Sequence, residues 1–129
     1  MVDCGTVINP NLARVQVEGG IAQCMGYALY EDMRFSKTGA MLSNDLQKYR
    51  IPCSMDVPPI QVEFLESFEP SGPYGAKSMG EVTFHTAAPA IREALLHATG
   101  CQLNTLPITP EKVLAALEEQ KEKGGRLPC

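Results

Sequence analysis

The chain holds 129 residues, 44% hydrophobic and 20% charged, with a formal net charge of -4. That balance argues against a disordered chain, and no apolar run approaches the roughly 18 residues that suggest a membrane span. Lysine and arginine gather only near the end (Lys121, Lys123, Arg126), among Glu118, Glu119 and Glu122, which argues against a nucleic-acid partner.

Residues 2–7 alternate loosely and stop at Asn9-Pro10, which predicts a short strand and a turn. Residues 12–33 follow a helical period, with Val15, Ile21, Met25, Ala28, Leu29 and Tyr30 on one stripe. Gly19, Gly20 and Gly26 lie inside it, each costing about 1 kcal/mol of helix propensity relative to alanine. Close approach of another backbone is the commoner reason for such glycines, a ligand the rarer one. Residues 34–42 read as a hairpin around Lys37-Thr38-Gly39, and residues 43–52 as an extended connection. Ile60, Val62 and Phe64 alternate in a half-buried strand over 60–65. Residues 69–80 form a loop rich in turn residues (Pro70, Gly72, Pro73, Gly75, Gly80) that leads into a helix over 83–99. Phe84, Ala88, Ile91, Ala94, Leu95 and Ala98 lie near one face of that helix, Pro89 marks its first turn or a kink, and Gly100 stops it. Thr109-Pro110-Glu111 opens a last helix with Val113, Leu114 and Leu117 as its apolar face. The expected fold is α+β: a small, mostly antiparallel sheet packed with two main helices and a short C-terminal helix.

The five cysteines are widely spaced, with no Cys-x-x-Cys pair, so a zinc ribbon or iron–sulfur cluster has no support. Reduced thiols in a cytoplasmic chain are the expectation, and Met1-Val2-Asp3 has neither the basic start nor the apolar stretch of a signal peptide. The stretch Gly75-Ala76-Lys77-Ser78-Met79-Gly80-Glu81 carries the strongest chemical signal. It brackets a lysine and a serine with glycines and ends on a glutamate at the entrance of a helix. Free N–H groups there suit an anion or an oxygen-rich cofactor. A carboxylate beside a lysine stays ionised, as a general base must. Acidic residues also favour first turns for the helix dipole alone. Gln16 and Gln23 share a helix face with Glu18 nearby, either as contacts to a heterocycle or as a solvated surface. Glu81 and His85 are spaced to face each other on one helix. No ligand set accompanies His85 and His97, so no metal site is expected from them.

Four blocks, in order, resemble the C-terminal part of the molybdenum-cofactor subunit of the xanthine dehydrogenase/aldehyde oxidase family. They are Val2-Asp3-Cys4-Gly5-Thr6-Val7-Ile8-Asn9-Pro10; Val15-Gln16-Val17-Glu18-Gly19-Gly20-Ile21-Ala22-Gln23; Gly75 to Glu81; and Leu106-Pro107-Ile108-Thr109-Pro110-Glu111-Lys112-Val113. Lys48-Tyr49-Arg50-Ile51-Pro52 resembles a further family segment. The resemblance implies that residues 1–117 are a segment of a molybdopterin-binding domain and that residues 118–129 are a polar tail that frays. It implies Glu81 as the active-site base in hydroxylation of a heterocycle or aldehyde carbon. It implies Gln16 and Lys77 near the cofactor, with Ser78 and Gly80 shaping the same wall.

Cys24 departs from the family, which commonly has glycine there, and Val82 replaces a proline found in some members. The resemblance implies molybdenum–molybdopterin only within a larger assembly and none in the isolated chain. The implied partners are the other molybdopterin-binding, iron–sulfur and flavin parts of a hydroxylase, since 129 residues are too few for a complete large redox enzyme. The competing expectations are a non-enzymatic module that folds and self-associates without cofactor, and a small-ligand binder that reuses the 75–81 loop.

Overall fold

The computed structural model describes residues 1–123. Three helices carry it: α1 (Pro10–Leu29), α2 (Phe84–Thr99) and α3 (Pro110–Glu122). α1 starts earlier than its apolar period. Asn9 caps it, accepting the Leu12 N–H at 3.1 Å, and Pro10 takes the first helical position, where a missing N–H costs nothing. The Asn9-Pro10 pair is therefore a helix start rather than a turn. α2 stops at Gly100, which adopts a left-handed φ of 72° that glycine reaches without strain. Pro89 lies inside α2, beyond its first turn. Residues 118–122 are the last part of α3, and residues 124–129 of the expected frayed tail lie outside the described residues. No helix among the described residues is long and apolar enough to cross a membrane.

α1 buries Ala13, Val17, Gly20, Cys24 and Ala28, small residues recurring every three or four positions. The stripe of larger residues suggested by the period does not face inward as a whole, since Val15 is exposed. Small side chains let α2 come close, and the two helices pack against each other. Phe84, Ala88, Ile91 and Leu95 of α2 are half-buried, while Ala94 and Ala98 face solvent. Cys4, Cys101 and Ile108 complete the core. The Ile108 N–H donates to the Ala28 carbonyl at 2.6 Å and ties the chain beyond α2 to the end of α1.

The expected sheet is absent, which corrects the α+β reading to a helical framework joined by extended connections. Among the described residues there is no strand, only three isolated bridges: Val2 with Phe64, Gly5 with Ala76, and Phe35 with Met41. The reasons are local. Segment 2–7 cannot run straight, because the Asp3 carboxylate accepts the Gly5 N–H at 2.9 Å and Gly5 turns the chain with a φ of 67°. Segment 60–65 has a strand's alternation, with Ile60, Val62 and Phe64 half-buried and Gln61 and Glu63 exposed. It pairs only around Val2, through Val2 N–H to Glu63 O and Leu65 N–H to Val2 O, both at 2.9 Å. Pro58 and Pro59 precede it and have no N–H to extend a ladder. The hairpin over 34–42 does close, with Ser36 N–H on Ala40 O and Leu42 N–H on Arg34 O at 2.8 Å and Gly39 at φ 83°, but it contains a single bridge.

Candidate active-site wall

The loop from Gly75 to Val82 is held at both ends. At its start, the Thr6 N–H donates to Gly75 O at 3.0 Å and the Lys77 N–H to Cys4 O at 2.8 Å. Tyr74 and Gly75 turn the chain into it with φ values of 56° and 80°, a strained conformation for tyrosine. Lys77 Nζ donates to Asp3 Oδ2 at 2.7 Å. Asp3 also accepts from Ser67 Oγ at 2.8 Å and from the Gly5 N–H. The bond from Lys77, then those from Gly5 and Ser67, hold the Asp3 carboxyl down to about 2.

At the other end, Gln16 Nε2 donates to the Gly80 carbonyl at 2.6 Å. One turn further along α1, Gly20 faces Thr83, and a side chain on Gly20 would collide with the threonine. One more turn on, Cys24 Sγ accepts the Ala88 N–H at 3.1 Å. Gln16, Gly20 and Cys24 form one ridge of α1 at four-residue steps, and residues 80–88 lie along it. Thr83 is only 4% exposed, and its hydroxyl has no hydrogen-bond partner among the described residues.

Of the residues singled out in the sequence, Gln16 and Gly80 are thus in direct contact. Glu81 follows Gly80 and is exposed. Its carbonyl accepts the Phe84 N–H at 3.0 Å, in a turn that leads into α2. It stands ahead of the helix, whose N-cap position is Thr83, rather than in the first turn. Glu81 therefore does not share a helix with His85, whose ring meets Phe84 edge-on at 6.3 Å. Ser78 is exposed on the same loop. The Lys77 ammonium is engaged by Asp3. Among the described residues, no group of three or more His, Cys, Asp or Glu could hold a metal ion.

Asp3 and the Gly20–Thr83 contact were not singled out as functional from the sequence. Asp3 had a local signal, the Asp-x-Gly spacing of a side-chain-closed turn. Nothing local links it to Lys77, a separation of 74 residues.

A family profile described as the molybdopterin cofactor-binding domain matches residues 1–58. The xanthine dehydrogenase molybdenum-binding subunit of Escherichia coli O157:H7 is 41% identical over 112 residues, covering 86% of this chain and 15% of that protein. The chain belongs to the xanthine dehydrogenase/aldehyde oxidase family of molybdenum hydroxylases. The crystal structure of quinoline 2-oxidoreductase from Pseudomonas putida 86 matches with a TM-score of 0.83 and 38% identity, over 91% of this chain and 15% of that one. Aldehyde oxidoreductase from Desulfovibrio desulfuricans ATCC 27774 matches with a TM-score of 0.80 and 32% identity, over 88% and 12%. The chain thus spans about one seventh of the length of these family members.

The residues present fit the family's cofactor as a donor set. The backbone N–H groups of residues 78–82 have no acceptor among the described residues. Gly80 has open space where a side chain would stand. The Ser78 hydroxyl is exposed, and the Gln16 carboxamide keeps a second N–H and its oxygen beyond the bond to Gly80. Such a row of donors suits an anionic, oxygen-rich ligand.

Proposed function

We propose that this chain forms one wall of a molybdenum hydroxylase active site and supplies its general base. Residues 1–117 form a segment of the molybdopterin-binding domain in this reading. The observation that carries it is the 2.6 Å bond from Gln16 to Gly80, which sets the backbone next to Glu81 against a rigid helix. The molybdenum cofactor, when bound, supplies the two-electron oxidation of a heterocycle or aldehyde carbon. Glu81 takes up the proton on a carboxylate oxygen. It is exposed and sits beside N–H groups that have no acceptor among the described residues. Gln16, Ser78 and the backbone from Ser78 to Gly80 orient the cofactor. Lys77 contributes by holding the loop.

The partners in this reading are the remaining parts of such an enzyme, including its iron–sulfur and flavin components, in the cytoplasm. Alone, the chain self-associates through its uncovered apolar surface and turns nothing over. The test is Glu81→Gln in the assembled hydroxylase. Turnover should fall by about 100-fold or more with cofactor content unchanged; turnover equal to wild type removes Glu81 as the base.

A further inference from the structure

We infer that Asp3 is a positioning residue for the catalytic loop, acting through Lys77. Three facts converge on its carboxylate. It gathers donors from three separate parts of the chain: the Gly5 N–H at 2.9 Å, Ser67 Oγ at 2.8 Å and Lys77 Nζ at 2.7 Å. The same junction is closed by backbone, through Thr6 N–H on Gly75 O and Lys77 N–H on Cys4 O. A side chain on Gly5 would strike the backbone of Gly75 to Lys77, so the two segments are in direct contact there.

The loop that carries Glu81 is therefore a short span between two fixed points. Gln16 fixes Gly80 from α1, and Asp3 fixes Lys77 from the chain start. Only Ser78 and Met79 lie between them. The position of Ser78 and of the N–H groups that follow is set from Lys77, so loss of the Asp3 anchor leaves that end of the span held by the backbone bonds alone. The lysine of the motif is a structural cation here, and the negative charge it answers is Asp3, not Glu81. The role of this anchor in turnover rests on the reading of Glu81 as the base, whereas the anchor itself does not.

Two measurements separate these. In the full chain, exchange of the two bonded amides of the loop, Ala76 and Lys77, should quicken about fivefold in Asp3→Asn, with α1 exchange unchanged. Asparagine still accepts from Gly5 and Ser67 through its oxygen, while its amide nitrogen cannot accept from Lys77, so the change isolates the bond to Lys77. Lys77→Met should match it, the double variant should be no faster than either single, and Lys77→Arg should restore slow exchange. Unchanged exchange in Asp3→Asn, or effects that multiply in the double variant, would overturn the anchor. In the assembled hydroxylase, Asp3→Asn should lower kcat several-fold with KM and cofactor content unchanged. An unaltered kcat in Asp3→Asn, beside a dead Glu81→Gln, would sink the positioning role while leaving the base intact.

Discussion

Between α1 and α2 the closest contacts are made by Gly20, Cys24, Thr83 and Ala88, with the Tyr27 and Phe84 rings meeting at 5.6 Å, whereas in residues 31–72 Phe35, Leu46, Ile51, Met55 and Phe68 stand more than half exposed. The first region is tight because its residues are small. Cys24 is 0% exposed, and its sulfur reaches the first turns of α2. The second region leaves large apolar side chains in water. Small side chains fix geometry within this chain, while large ones on the long connection mark surface suited to a partner. Placement of the candidate base draws on the first region through Gln16, and on the junction of Asp3 with Lys77 and Ser67.

Substitutions can break that contrast or sharpen it. The largest effect belongs to Gly20→Val, which drives two methyl groups into Thr83. Overpacking of this kind costs about 1–3 kcal/mol, read as a lower urea midpoint with unchanged slope; a stability equal to wild type would show that α1 and α2 are not in tight register. Next is Thr83→Val. The hydroxyl is buried without a partner among the described residues, so its removal should stabilise the chain by about 1 kcal/mol, where a bonded threonine would give a loss. The smallest effect is expected in the other region. Leu46→Gln and Met55→Gln should each change stability by less than about 0.5 kcal/mol while reducing self-association in light scattering. A large loss of stability at either position would mean that the connection packs within the chain after all.

The parts of the fold legible in the sequence were those with short-range causes. Gly100 stops α2 and Pro110 opens α3 where their backbone preferences place them. The sheet was misread because alternation at Ile60, Val62 and Phe64 reports a half-buried segment and nothing about a neighbour. Whether a second strand lies alongside depends on Gly5 and on Pro58-Pro59, each of which ends pairing for its own reason. The stripe read on α1 was right at Ala28 and wrong at Val15, because the buried face takes in Val17 and the small residues Ala13, Gly20 and Cys24, which hydrophobicity ranks below Val15. In the candidate site, Gln16 and Glu81 were visible in the pattern beside a bland alternative, and only the family resemblance chose between the two. The engagement of Lys77 by Asp3 had no signal of either kind, because two opposite charges far apart in sequence have many potential partners until the fold selects one.

The ridge formed by Gln16, Gly20 and Cys24 also sets what kind of change α1 can accept. Each residue added to or removed from a helix rotates everything beyond it by about 100°. One insertion between Gln16 and Gly20 would leave Gln16 on Gly80 and swing Gly20 and Cys24 away from α2, or the reverse. These two turns of α1 can therefore drift in composition far more freely than in length.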